Sequence, residues 1–192
     1  MGIKDSFMGA SLLMKVCFLV LLVAQVCNYI AFTIPQWGKR YTAPVGDFFV
    51  GYGLWRFCSN SEVPSACGQL DGTRLDWYAT VQALSVFGFV GINVAFLVVT
   101  LQIFSSVCKG VSDLGFWNAL CCFVTAACYL VAVIIFGTNF DDGFFTYIGG
   151  VIIREGEFGF SFGFAIVALV LEIVAGVLML LDGKGVTVTS PS

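Results

Sequence analysis

The feature that most constrains this chain is a set of four long apolar runs that carry almost no charge. They cover about residues 12–34, 79–104, 114–136 and 160–181. About 20 apolar residues at 1.5 Å per residue cross a hydrocarbon core of roughly 30 Å. Inside a bilayer such a run must be helical, because a helix satisfies its own backbone hydrogen bonds. We therefore predict four transmembrane helices, with the lipid bilayer as a partner.

The composition excludes several classes of function. Of the 192 residues, 59% are hydrophobic and only 11% are charged, whereas charged residues approach a quarter of a soluble globular chain. The net charge is -3 and there is no basic tract, so we expect no nucleic-acid partner. The chain has no histidine, which removes the commonest general base and metal ligand. We expect no enzyme activity, no cofactor and no metal site.

The segments between the apolar runs set the topology. With four spans, both termini lie on one side, together with the loop 105–113 and the tail 182–192. The loops 35–78 and 137–159 lie on the other side. The positive-inside rule would place these larger loops in the cytoplasm, because they contain five of the nine basic residues. Cys58 and Cys67, however, are spaced for a disulfide, which needs an oxidising compartment. We therefore predict extracellular loops and cytoplasmic termini in the plasma membrane.

The first loop is predicted to form β-structure. Apolar side chains recur at alternate positions at Phe48, Val50, Tyr52 and Leu54, which is typical of a strand. A second short strand is predicted after Cys67. A two-stranded hairpin is marginal in water, and a disulfide closing so short a loop adds roughly 2–3 kcal/mol.

Six residues of the first loop resemble the W–GLW–C–C signature of the claudins. They are Trp37, Gly53, Leu54, Trp55, Cys58 and Cys67. The combination is specific to the claudin-like superfamily, which includes peripheral-myelin and calcium-channel γ-subunit branches. The layout of the whole chain, residues 1–192, is also similar to that family.

The resemblance implies a membrane α+β fold in one domain. This fold is a left-handed four-helix transmembrane bundle with an extracellular antiparallel β-sheet, formed mainly by the first loop. The signature residues then have structural roles, with the tryptophans packed where sheet meets bundle and the disulfide tying neighbouring strands.

The chain departs from the claudin pattern at three places. Gln82 stands where vertebrate claudins usually have arginine. The C-terminus lacks the hydrophobic last residue that binds PDZ domains, so a PDZ scaffold is not supported. Arg56 produces a GLWRxC form that is also found in the peripheral-myelin, epithelial-membrane and γ-subunit branches. These departures indicate a divergent or invertebrate-like member.

The resemblance implies a protein of cell–cell junctions. Such a protein associates with itself or with paralogues in cis and in trans, and its loops form a paracellular barrier or an ion-selective paracellular pore. The charges that could line this space are Asp47, Glu62, Asp71, Asp76, Lys39, Arg40, Arg56 and Arg74. They sum to zero, so the selectivity stays open. Each of these charges could instead be simply solvated surface.

The second loop contains a cluster of aromatic and apolar residues that we interpret as an adhesive patch. The cluster comprises Phe140, Phe144, Phe145, Tyr147 and Ile148. It could equally pack on the protein's own sheet or lie in the membrane interface.

An auxiliary subunit of an ion channel or receptor is the alternative function. The GLWRxC form favours it, whereas the short tail and the absence of an N-x-[ST] sequence oppose it.

Two residues outside the two large loops also carry predictions. Cys108, beside Lys109, is a candidate palmitoylation site or an unmodified thiol. Glu172 is expected to face the bundle and to pair with Gln25, Asn28, Gln82 or Asn93.

Overall fold

The computed structural model describes residues 2–42, 49–59, 67–72, 75–105, 108, 111, 113–143 and 153–183. These residues form five α-helices and five β-strands. The helices are α1 (Ile3–Met8), α2 (Leu12–Thr33), α3 (Asp76–Phe104), α4 (Leu114–Gly143) and α5 (Phe160–Gly183). The strands are β1 (Gly38–Thr42), β2 (Phe49–Tyr52), β3 (Arg56–Ser59), β4 (Cys67–Gln69) and β5 (Ile153–Phe158).

Four of the described helices are long and apolar enough to cross a membrane. Their spans are Leu12–Thr33, Asp76–Phe104, Leu114–Phe140 and Phe160–Gly183. Large apolar side chains such as Phe87, Val124 and Val170 point outward and are at least half exposed. A soluble protein buries such side chains, whereas a bilayer solvates them. The four predicted transmembrane helices are confirmed.

The four long helices form a bundle in which each one packs against two others. α2 lies between α3 and α5, and α4 packs against the same two helices. Glycines bring α3 close to α4. A Cβ atom on Gly88 would lie 1.7 Å from the ring of Tyr129, and one on Gly91 would lie 2.0 Å from Thr125. Small residues are the usual means of close helix approach in membranes.

An antiparallel sheet caps one end of the bundle. Its strand order is β4-β3-β2-β1-β5, and the register pairs Gly38 with Tyr52 and Cys58 with Cys67. Four strands come from the first large loop, and β5 comes from the second. The fold class predicted from the family resemblance, a helix bundle with a sheet built mainly from the first loop, is confirmed.

The strand predicted from the alternation that runs to Leu54 ends earlier, and the chain turns back as the β2–β3 hairpin. β2 ends at Tyr52, and the Gly53 N–H closes the turn by donating to the Arg56 carbonyl at 2.9 Å. A Cβ on Gly53 would lie 2.4 Å from the Pro35 Cα, so only glycine fits there. Leu54 continues the apolar alternation because it is buried in the core, not because it extends the strand.

The helix α4 continues well beyond its predicted end at residue 136. The Asn139 amide donates to the Ile135 carbonyl at 2.8 Å, and Phe140 stacks on Phe136 with ring centroids 5.1 Å apart. These contacts keep the final turns helical, although their polar residues would suit a loop. The second loop therefore begins later than predicted, at the far end of a helical extension.

Glu172 faces the inside of the bundle and is fully buried. Its carboxylate accepts a hydrogen bond from the Thr125 hydroxyl of α4. This partner is none of the four polar residues expected from sequence, because it comes from α4 and those four lie on α2 and α3. The pair joins α4 to α5 within the membrane span.

Candidate functional site

The sheet is mounted on the bundle through Trp37. This side chain is completely buried, and its indole N–H donates to the Ala31 carbonyl at 2.6 Å. Its ring meets Phe136 of α4 and Phe162 of α5 at centroid distances of 5.1 and 5.7 Å. The Trp37 backbone N–H also donates to the Tyr52 carbonyl at 2.7 Å. One residue thus ties the end of α2, the sheet and two further helices together.

The Gly53–Trp55 turn is held by polar side chains of α3. The Tyr78 hydroxyl donates to the Gly53 carbonyl, and the Gln82 amide donates to the Leu54 carbonyl at 2.7 Å. Gln82 also reaches the Leu70 carbonyl at 3.4 Å, where the chain leaves β4. Gln82 therefore anchors two segments of the first loop from the position where claudins usually have arginine. Tyr78 was not singled out from sequence, because nothing local marks its distant carbonyl partner.

A disulfide joins the edge strand β4 to its neighbour β3. Cys58 on β3 and Cys67 on β4 are direct register partners and are covalently linked. The predicted disulfide is confirmed. It fixes β4, a three-residue edge strand, against β3. Short edge strands make few ladder hydrogen bonds, so a covalent link holds this edge where the ladder alone would fray.

The structure corrects two of the predicted assignments, those of Arg40 and Phe140. Arg40 is 3% exposed, and its guanidinium donates to the Phe140 carbonyl and lies over the Phe140 ring. Phe140 itself is fully buried, and a Cβ on Gly38 would collide with its ring. Arg40 therefore cannot line a paracellular space, and Phe140 cannot belong to an exposed adhesive patch. Together they attach β1 to the end of α4.

The buried side of the sheet also contains Tyr52. Burial raises the pKa of the Tyr52 hydroxyl above its ordinary value, and the charge of Arg40 partly opposes this shift. The positive charge of Arg40 therefore acts on a neighbouring side chain within the sheet–bundle contact.

The opposite side of the sheet, which we call the outer face, carries charged and aromatic side chains. Alternation along β1 places Lys39 and Tyr41 opposite the buried Arg40. Lys39 is the register partner of Glu157 on β5, and the Tyr41 hydroxyl donates to the Glu157 carboxylate at 3.2 Å. The Lys39 ammonium lies 5.3 Å from the centre of the Phe49 ring.

Arg56 lies on the same outer face. Cys58 shares a row with Gly51 and Lys39, and Arg56 is two residues from Cys58 along β3. Its side chain is exposed.

The hydrogen bond from Tyr41 to Glu157 raises the pKa of Tyr41 above its ordinary value. Glu157 was not among the predicted lining charges, because it comes from the second loop and only the β1–β5 pairing brings it here.

Some of the other predicted lining charges lie within the described residues, and some lie outside them. Asp71 follows β4 and Asp76 begins α3, and both are exposed. Asp76 also suits the positive end of the α3 dipole. The remaining predicted residues of both sets lie outside the described residues. They are Asp47, Glu62, Arg74, Phe144, Phe145, Tyr147 and Ile148.

The end of the bundle away from the sheet contains a cavity of about 370 Å³. Its lining includes Ser11, Gln102, Cys108 and Asp182. The Ser11 hydroxyl donates to the Asp182 carboxylate and also caps α2 by accepting from the Met14 N–H. The Cys108 thiol is partly exposed. Its palmitoylation stays a prediction.

The outer face presents groups that can recognise ions and polar partners. Across the described ranges no three His, Cys, Asp or Glu side chains come together to hold a metal ion. The sheet instead presents charges of both signs on a rigid support.

Comparison with known proteins identifies a family. The family model described as PMP-22/EMP/MP20/Claudin matches residues 8–179 of the chain. The match includes all four spans almost to the end of α5, and every strand of the sheet. Among curated proteins, none matches the chain significantly.

Proposed function

We propose, from the premise that the chain belongs to the PMP-22/EMP/MP20/Claudin family, that it is a membrane protein of cell–cell junctions. It associates with copies of itself or with paralogues. The sheets of neighbouring and opposing molecules then form a paracellular barrier or an ion-selective paracellular pore.

The proposed orientation places the sheet outside the cell. The Cys58–Cys67 disulfide supports it, because disulfides persist in oxidising compartments and are rare in the cytosol. Both termini are then cytoplasmic, since four spans return the chain to its starting side. The protein is thus proposed to lie in the plasma membrane at cell contacts.

The observation that carries the proposal is the outer face of the sheet. Lys39 and Glu157 present charges of both signs on this face, while Trp37 and Gln82 fix the sheet to the bundle beneath. Charges held rigidly beside a narrow aqueous space select ions by the same physics as a ring of charge within a channel. A flexible loop with the same charges would only screen the space.

The adhesive contact is assigned to the second loop beyond α4. Phe144, Phe145, Tyr147 and Ile148 form this proposed contact, without the buried Phe140. Replacing both Phe145 and Tyr147 by alanine should abolish enrichment of the protein at cell contacts. Unchanged enrichment of a variant that reaches the surface would remove the assignment.

The function is tested in an epithelial monolayer that expresses the tagged protein at its contacts. We expect transepithelial resistance or the sodium chloride dilution potential to change, and the change to be lost in Trp55→Ala and Cys58→Ser. Cys128→Ser is the matched control, because this thiol is free. If expression of the wild-type protein changes neither the resistance nor the dilution potential, although the protein clearly reaches the surface, a paracellular function is contradicted.

An auxiliary subunit of an ion channel or receptor is the second candidate. The exposed Arg56 of the GLWRxC form favours it, because a cation on an open face is available to a partner protein. Under this alternative the protein co-purifies with a channel or receptor and leaves monolayer resistance unchanged.

A further inference from the structure

A groove of about 590 Å³ opens beside the edge strand β4. It is lined by Trp55, Arg56, Cys67, Gly68, Gln69 and Leu70. The lining combines an aromatic ring, an aliphatic side chain and polar groups. Such a mixture suits an amphipathic ligand better than a purely ionic one.

The depth of the groove can be read from its neighbours. The helix α3 has 29 residues and is therefore about 43 Å long, which matches a bilayer including both headgroup layers. The first turns of α3 consequently lie among the headgroups. Gln82, in the second turn, bonds to the Leu54 and Leu70 carbonyls beside the groove.

The neighbouring helix gives the same depth. The Trp55 ring lies 5.3 Å from the ring of Phe32, in the last turn of α2. Tryptophan is enriched at this level of membrane proteins because one end of its ring is apolar and the other polar. The groove is therefore at the height of lipid phosphates.

The groove presents hydrogen-bond donors at this height. The Arg56 guanidinium is exposed, and within the described part of the chain it has neither an ion pair nor a hydrogen bond. Gln69 is its register partner on β4 and is also exposed. Arginine binds phosphate oxygens through two parallel hydrogen bonds.

We propose that this groove binds the headgroup phosphate of a phospholipid from the leaflet on the sheet side. Arg56 pairs with the phosphate oxygens, and the Gln69 amide donates a further hydrogen bond. Trp55 and Leu70 pack against the glycerol and the first acyl carbons. The inference does not depend on whether the protein forms a paracellular barrier.

The test measures binding of phosphatidylcholine to the purified, detergent-solubilised full chain by native mass spectrometry. We expect Arg56→Gln to bind the lipid about tenfold more weakly than the wild type, because one charge-assisted bidentate contact is lost. Arg56→Lys should fall between the two, since it keeps the charge but not the fork. The control is Lys39→Gln, which removes a cation from the same outer face away from the groove and should bind like the wild type.

Three results would overturn the proposal. The first is equal lipid binding by wild type and Arg56→Gln, with the disulfide intact in both. The second is displacement of the lipid by inorganic phosphate at about millimolar concentration, which would indicate a site for free anions. The third is reduced self-association of Arg56→Gln with unchanged lipid binding, which would indicate an acidic protein partner.

Discussion

Gln82 holds two separate segments of the first loop with one side chain. It is 9% exposed and donates to two backbone carbonyls from different segments of the first loop. Each buried carbonyl needs a donor, because leaving one unsatisfied costs about 1–3 kcal/mol. The Gln82 side chain reaches both carbonyls from the second turn of α3.

Replacing Gln82 by leucine should therefore destabilise the protein by about 1–3 kcal/mol, because the Leu54 carbonyl loses its donor. The measurement is the midpoint of thermal unfolding in one detergent. Gln102→Leu is the control. The side-chain oxygen of Gln102 is buried without a partner in the described part of the chain, so its loss should cost little. Equal effects of the two variants would contradict the anchoring role of Gln82.

The Tyr41–Glu157 pair has a definite pH dependence. Ionising Tyr41 breaks the donated hydrogen bond and places a second negative charge beside Glu157, so the pKa of Tyr41 is raised. The pair therefore stabilises the β1–β5 contact below about pH 10, the ordinary tyrosine value, and this contribution is lost as the pH rises through the raised pKa.

Glu157→Gln should lower the pKa of Tyr41 towards its ordinary value. The measurement is an NMR titration of ring-labelled tyrosine, with Tyr41→Phe identifying the resonance. A Tyr41 pKa unchanged by the substitution would contradict the hydrogen bond.

At the scale of elements, the contact between α3 and α4 depends on the absence of side chains. The aromatic ring of Tyr129 occupies the space that a Cβ of Gly88 would need. Tyr129 also donates to the Asn28 side chain at 3.1 Å, so moving the ring away would break a buried hydrogen bond to α2. The lack of a side chain at Gly88 therefore affects the packing of three helices, α2, α3 and α4.

Gly88→Ala should destabilise the bundle by about 1–3 kcal/mol through overpacking. Gly163→Ala is the matched control, because no atom lies within 4 Å of its added methyl group and alanine favours a helix over glycine. The two variants should therefore move the unfolding midpoint in opposite directions, or the second not at all. A Gly163 variant as unstable as the Gly88 variant would contradict this packing.

The elements differ in how far sequence could predict them. The long helices follow from the length of the apolar runs alone. The end of α4 could not be predicted, because Phe140 becomes helical core only through Gly38 and Arg40, about 100 residues away in sequence. The turn at Gly53 could not be predicted either, because Leu54 continues the alternating apolar pattern although it lies outside the strand. Local patterns report burial, but not which distant element provides it.

The candidate site shows the same limit. The signature residues and the disulfide were predicted, since their spacing matches a known family. Which charges face solvent was not predictable, because adjacent residues Lys39 and Arg40 have similar chemistry and opposite orientation. Glu157 joins them only through the pairing of β5 with β1. Tertiary strand pairing, not composition, therefore decides the charge of the outer face.

At the scale of the whole molecule, the design is a membrane bundle that supports a small rigid sheet. The bundle anchors the sheet through Trp37, Tyr78, Gln82 and Arg40, each from a different part of the sheet–bundle contact. The outer face is left free of these contacts and carries the solvent-facing charges. In the proposed function this face borders the space between cells.

The measurement that tests the proposed function most directly is the sodium chloride dilution potential of monolayers expressing charge-reversal variants. Lys39→Glu should raise the sodium-to-chloride permeability ratio and Glu157→Lys should lower it, each by about twofold or more, because each reversal changes the local charge by two units within a Debye length. Asp182→Asn, at the other end of the bundle, should leave the ratio unchanged. If neither reversal shifts the potential while both variants reach the cell contacts, the outer face does not border the paracellular space.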